Sequence, residues 1–141
     1  MNKRQQDIAY ELAHKIHEWE FRRDNKTPYV NHVIDVARVA GDRFGFDDEL
    51  IATAYLHDSL ESGSSWEFLC DKGIYFNVIK AVQLLTLDKS VTYHENIQKI
   101  KDSGNLLAIR VKIADNLANL ADDPTDKQIL KYAKSLQILL S

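Results

Sequence analysis

Ile51-Ala-Thr-Ala-Tyr-Leu-His-Asp-Ser-Leu-Glu61 is the stretch on which the reading of this chain depends. Ile51, Ala54, Tyr55 and Leu56 give it the core-facing stripe of a helix rather than the alternation of a strand. Into that stripe it sets an imidazole and a carboxylate, His57 and Asp58, on adjacent positions. Adjacent helical residues point roughly 100° apart, so both groups can leave one rim of the stripe. A buried carboxylate is costly unless it is paired or coordinates a metal. Neutral imidazole and carboxylate are both good ligands for divalent first-row ions. Alone, the pair reads more simply as a core histidine beside a salt-bridged aspartate at the helix edge. Its company decides otherwise.

Outward from this stretch the periodicity stays helical. Ile8, Leu12, Ile16 and Trp19, with Ala9 and Ala13, form a first amphipathic helix, and the polar turn 22–27 leads to Pro28. A second helix starts near Tyr29 with Val33, Val36, Ala37 and Ala40 inward, and Gly41 and Gly45 loosen its end. Asp47 or Asp48 caps the third, which carries His57 and Asp58 and closes at Gly63. Ser64 and Glu67 have capping-box spacing for a short helix through Trp66 and Leu69, and Ile74 to Leu85 follows in phase. Thr92 and Glu95 repeat the capping-box spacing before Ile97 and Ile100. Leu106, Ile109, Ile113, Leu117 and Leu120 recur at threes and fours, and Pro124 separates that run from a last helix, Asp126 to Leu140. With no repeat, low-complexity segment or convincing strand, the expected fold is all-α, about seven or eight helices in one compact bundle.

Composition narrows the functional classes. A chain of 141 residues, 45% hydrophobic and 28% charged, suits one domain over 1–141 that needs neither disulfide nor structural metal. The lone Cys70 has no internal disulfide partner and points to a reducing compartment. The N-terminus carries charge without an apolar run of signal-peptide length, and no stretch approaches the roughly 20 apolar residues of a bilayer span. A net charge of −3 with dispersed lysines and arginines argues against DNA or RNA as a partner. The expectation is a cytoplasmic protein away from membranes, with the apolar run Leu136 to Leu140 available for a homodimer contact.

Three segments bring metal-type ligands to helix positions that can converge. They are Thr27-Pro-Tyr-Val-Asn-His32, His57-Asp58 with Glu61 one turn on, and Ile113-Ala-Asp-Asn-Leu-Ala-Asn119. In the third, Asp115 interrupts a face of Ile, Leu and Ala, and Asn119 shares that face one turn later. His32, His57, Asp58 and Asp115 would make a mixed nitrogen and oxygen site suited to Mn²⁺, Fe²⁺ or Zn²⁺, with Mg²⁺ not excluded. An open position on such an ion would let water lose a proton near neutrality, its pKa falling from 15.7 to about 7. Glu61 would hold or deprotonate that water.

The order His … His-Asp … Asp resembles the HD-domain phosphohydrolases. The blocks RDNKTPYVNH (23–32), ATAYLHDSLES (52–62), LLTLDK (84–89) and VKIADNLANL (111–120) are similar to the hydrolase domain of RelA/SpoT-type alarmone enzymes and small free-standing alarmone hydrolases, across roughly residues 9–122. The resemblance implies an all-α bundle, Mn²⁺ as the usual metal, and removal of the 3′-pyrophosphate from guanosine tetra- or pentaphosphate. It implies His32, His57, Asp58 and Asp115 as ligands, Glu61 as the first acid of a Glu-Asp pair, and Asn119 near the nucleotide. Arg23, with Arg22 second, falls where an arginine packs against the base. Two departures stand out: Ser62 replaces the second acid and cannot act as a base near neutrality, and Glu18-Trp-Glu-Phe21 stands where His-x-Gly-Gln is usual. No synthetase half accompanies the resemblance, which implies hydrolysis alone.

The remaining residues divide more evenly. Arg22, Arg23 and Lys26 serve substrate phosphate or a solvated loop, and Tyr29 lines the pocket or packs on the third helix. Arg110 and Lys112 read as surface cations, and His14, His17 and His94 as surface residues without partners. Tyr93 suits a lid, and Cys70 a buried small hydrophobe. Three functions follow: hydrolysis of a 3′-pyrophosphorylated nucleotide, monoester hydrolysis on a nucleotide or a 3′-phosphorylated cofactor such as NADPH, and a nucleotide-binding or toxin-neutralising module weakened by Ser62.

Overall fold

In a computed structural model describing residues 3–141, the chain forms eight α-helices among those residues. They are α1 Gln5–Ile16, α2 Val30–Phe44, α3 Asp48–Leu56, α4 Trp66–Asp71, α5 Phe76–Leu85, α6 Tyr93–Ser103, α7 Leu106–Leu120 and α8 Asp126–Leu140. The only β-type pairing described is an isolated bridge between Phe21 and Pro28 in the α1–α2 loop. The all-α expectation holds.

The helix starts are set by side chains that satisfy otherwise unpaired backbone N–H groups. Asp47 accepts from Leu50 N–H, Thr92 from Glu95 N–H and Asn105 from Ala108 N–H. Thr125 and Gln128 complete a reciprocal capping box at α8. The short α4 is capped by Ser65, accepting from Phe68 N–H, and not by Ser64 as its spacing with Glu67 suggested.

Helix α3 is the axis of the molecule. Leu50, Ile51, Ala52, Thr53, Ala54 and Leu56 are all buried, because α1, α2, α5 and α7 pack around them. Full burial of one such leucine contributes about 1.5–3 kcal/mol. Alanines 37, 40, 54, 114 and 118 lie in the cluster shared by α2, α3 and α7, and their small side chains let these helices approach closely. That approach brings the start of α2, the end of α3 and the middle of α7 to one place.

Several sequence expectations need correcting. α1 stops at Ile16, and Trp19 lies beyond it, 82% exposed, because the chain turns inward at His17. α3 stops at Leu56, leaving His57 and Asp58 in a succession of turns that runs to Gly63. The Ala54 carbonyl, which a continuing helix would offer to Asp58 N–H, instead accepts from His57 N–H at 3.4 Å and from the His57 ring Nδ1–H at 2.8 Å. Ile74 is buried in the loop before α5 instead of opening that helix. Gly41 belongs to the interior of α2, where a Cβ would stand 2.1 Å from the Phe46 ring, and the chain leaves the helix at Gly45 with φ 99°. Cys70 is exposed. Leu139 is buried and Leu136 and Ile138 pack on the main core, so most of the apolar C-terminal run faces inward.

Candidate metal centre

His32 sits in the first turn of α2, where its N–H bonds to the Tyr29 carbonyl, and Asp115 projects from the middle of α7. Both reach the point where α3 ends at His57. His32 Nε2 lies 2.8 Å and His57 Nε2 3.5 Å from Asp115 Oδ1. The three donor atoms fall within 4.8 Å of one another, a group able to hold a metal ion. All three residues are buried. The hydrogen bond from His57 Nδ1–H to Ala54 leaves Nε2 as the nitrogen facing the group, where a metal ion would take the place of its proton. A metal-binding histidine is oriented in the same way, by a bond from its other ring nitrogen. Two imidazole nitrogens and a carboxylate oxygen form a donor set suited to Mn²⁺, Fe²⁺ or Zn²⁺.

The second oxygen of Asp115 accepts from Lys112 Nζ at 3.0 Å, and Asn119 Nδ2 donates to its Oδ1 at 3.3 Å. Burial alone would raise the Asp115 pKa, but Lys112, His32 and His57 together hold it well below the ordinary carboxylate range. Burial likewise works against charged His57, yet Asp58 and Asp115 outweigh it and raise the imidazole to about 9. Lys112 is similarly kept charged, with Asp115 overcoming the effect of burial.

Asp58 stands beside this group and is held from the other side. Its Oδ2 is 3.9 Å from His57 Nε2 and accepts a short hydrogen bond from Tyr29 O–H. Its Oδ1 lies 3.2 Å from His17 Nε2. Burial raises its pKa, whereas His57, His17 and Tyr29 together push it well below the usual value. Asp58 therefore adjoins the trio without joining the 4.8 Å cluster.

A cleft of about 220 Å³ opens onto these residues, walled by Arg22, Glu61, Lys112, Asn119 and Tyr132. Glu61 lines it with Oε1 accepting from Leu87 N–H at 2.9 Å. Arg22 reaches Asp122 at 2.7 Å and Asn119 Oδ1 at 3.4 Å. Arg23 turns aside to Gln128 and the carbonyls of Asp122 and Asp123. It lines a neighbouring cavity of about 410 Å³ that shares His32 and Arg22 with the first. Lys26 lines neither cavity. Ser62 also points away from the cleft and donates to Glu20 Oε1 at 3.0 Å.

Four residues at or beside the site escape the sequence reading, Tyr132 in the cleft wall together with His17, Lys112 and Glu20. His17 is buried, with its ring between Asp58 and Glu20, and is not a surface histidine. It continues the buried series Ala9, Ala13 at fours, a signal that was present. Lys112 is buried, not a surface cation, and its place three residues before Asp115 foretold the pair. Glu20 gave no signal, since only the folding of the α1–α2 loop brings it to His17.

A family profile described as the HD domain matches residues 9–137. The chain is 35% identical to the guanosine-3′,5′-bis(diphosphate) 3′-pyrophosphohydrolase MESH1 of Danio rerio over 100 residues, 68% of this chain and 56% of that protein. Against the proteins of the same name from Xenopus tropicalis and Mus musculus, identity is 30% and 34%, covering 81% and 78% of this chain and 66% and 64% of theirs. The chain thus spans between 56% and 66% of the length of these curated relatives. A solved structure, reported as a metazoan ortholog of SpoT that hydrolyses ppGpp and plays a role in starvation responses, matches with a TM-score of 0.84 at 25% identity. That match covers 99% of this chain and 87% of the other.

Proposed function

This chain belongs to the HD-domain family, and on that premise we propose that it is a divalent-metal phosphohydrolase that removes the 3′-pyrophosphate of a guanosine tetraphosphate-like nucleotide. The observation that carries the reading is the convergence of His32 Nε2, His57 Nε2 and Asp115 Oδ1, with the His57 ring oriented by Ala54. Those three would hold the ion, with Asp58 a fourth ligand on the Tyr29 side. Mn²⁺ is the preferred candidate over Fe²⁺, Zn²⁺ and Mg²⁺. When bound, such an ion supplies a Lewis acid for phosphoryl oxygens and lowers the pKa of water.

The chain's own groups would do the rest. Glu61 orients a water toward the phosphorus joined to the ribose 3′-oxygen and takes up its proton. As the bond to phosphorus forms, that to the 3′-oxygen breaks, and the departing ribose oxygen takes up a proton to leave as a hydroxyl. Lys112 keeps Asp115 ionised and aimed at the ion. Arg22 and Asn119, joined across the cleft, face the nucleotide, and Arg23 with its adjoining cavity would take the base. Among the described residues no helix is long and apolar enough to cross a membrane. The lone Cys70 fits a reducing, cytoplasmic setting.

Purified protein supplied with Mn²⁺ and guanosine 3′,5′-bis(diphosphate) should release pyrophosphate. Failure to release any across a panel of 3′-phosphorylated nucleotides would overturn the proposal. Ser62 favours one second reading, because its side chain leaves Glu61 as the only acid of the expected pair lining the cleft. On that reading the protein is a monoester hydrolase for a nucleotide or NADPH-like cofactor, and orthophosphate is the product.

A further inference from the structure

His17 is the one wholly buried imidazole that the proposed reaction does not use. Its Nδ1 lies 3.1 Å from Glu20 Oε1 and its Nε2 3.2 Å from Asp58 Oδ1, with none of the His17 side chain exposed. Ser62 Oγ–H donates to the same Glu20 oxygen at 3.0 Å. The Glu20 backbone is fixed as well: its N–H bonds to the His17 carbonyl and its carbonyl accepts from Tyr29 N–H at 2.8 Å. Tyr29 in turn donates from its hydroxyl to the other Asp58 oxygen. The loop between α1 and α2 thus grips both oxygens of Asp58, one through Tyr29 directly and one through His17 with Glu20 behind it.

We propose that Glu20 is a positioning carboxylate that holds Asp58 through His17 and is itself anchored by the Ser62 hydroxyl, so that positions 20 and 62 carry one acid between them. The inference deepens the proposed function and rests on Asp58 standing at a metal centre. Its physical content is a constraint. A carboxylate introduced at position 62 would face Glu20 at about 3 Å or less, where two carboxylates cannot both stay ionised. An acid at 62 is therefore compatible with this loop only if Glu20 is neutral. The absence of an acid at 62, which looked like a loss from the sequence, is matched by one arriving from the opposite side.

The test is a four-protein cycle of wild type, E20Q, S62D and E20Q/S62D in the full chain. Glutamine keeps the shape of Glu20 and the oxygen that Ser62 and His17 approach and removes only its charge, and Glu20 lies on a partly exposed turn, so folding is retained. Free Mn²⁺ measured by electron paramagnetic resonance gives metal affinity, and ring ¹⁵N shifts of His17 report its contacts in metal-free protein. Each single variant is expected to lose affinity about tenfold, the low end for groups that orient a ligand. The double variant is expected within about twofold of wild type, with the His17 shifts that E20Q displaces returned toward their original values. Losses that multiply in the double variant, or His17 shifts indifferent to E20Q, overturn the proposal. Wild type that binds no Mn²⁺ would instead sink the metal reading, while the His17 shifts still decide the Glu20 contact.

Discussion

Asp115 and Asp58 are two buried carboxylates, each within 4 Å of His57 Nε2, and they are held in opposite ways. Asp115 stands in the middle of a regular helix, with Lys112 and Asn119 from its own α7 on its oxygens and two histidines in front of it. Asp58 lies beyond the end of α3 and takes its partners, His17 and Tyr29, from the α1–α2 loop. One is fixed by local helix geometry and the other by tertiary packing of a loop. The rigid member is the natural anchor of the centre, and the loop-held member is where its properties can be adjusted.

The largest effect should come from Asp115→Asn. It removes the carboxylate charge shared by both histidines and leaves the buried Lys112 without its counter-charge. Mn²⁺ affinity should fall by at least about a hundredfold. In metal-free protein, urea unfolding should show a loss of about 3 kcal/mol. Asp58→Asn should weaken metal binding too, but with a smaller stability loss of about 1–2 kcal/mol, since Glu20 still faces His17. Equal losses in the two variants would erase the contrast between the helix-held and the loop-held carboxylate.

Proton linkage separates the pair further. His57 is raised from 6.5 to about 9 in the folded protein. Its contribution to metal-free stability is therefore fully present below pH 6.5 and is lost as pH rises through about 9. Asp115 and Asp58 are depressed, so their contributions are present above the ordinary carboxylate range and are lost on acidification. Chelated protein should show a urea midpoint that declines from pH 6.5 to 9, and His57→Gln should flatten that limb. A midpoint that rises across this interval would contradict the assigned partners.

Tyr29→Phe removes one grip on Asp58 and leaves Asp115 untouched. About a tenfold drop in kcat/KM is expected, with stability changed by about 1 kcal/mol. The smallest effect belongs to Asn119→Ala, which deletes a single 3.3 Å bond to Asp115 and should alter Mn²⁺ affinity only a few-fold by titration.

The same contrast explains what the sequence made legible. Helices α7 and α8 were read to their observed ends because capping residues and threes-and-fours periodicity are local properties. His57 and Asp115 stand out as polar groups set into apolar faces, and His32 by its place in the ordered His … His-Asp … Asp blocks. The end of α3 was read too far along, because the His57 ring captures the carbonyl that would have continued the helix, and periodicity carries no trace of that bond. His17 carries its signal in the Ala9, Ala13 series, but no neighbour at ligand spacing marks it as part of a site. Glu20 and the outward turn of Ser62 depend on how residues 17–29 fold over α3, and no spacing rule encodes that.

Crystals grown with saturating Mn²⁺ and measured at the manganese absorption edge would test the convergence of α2, α7 and the turn after α3 on one cation most directly. The expected result is an anomalous peak about 2 Å from His32 Nε2, His57 Nε2 and Asp115 Oδ1. No peak at that point, or manganese bound only elsewhere on the protein, would contradict it.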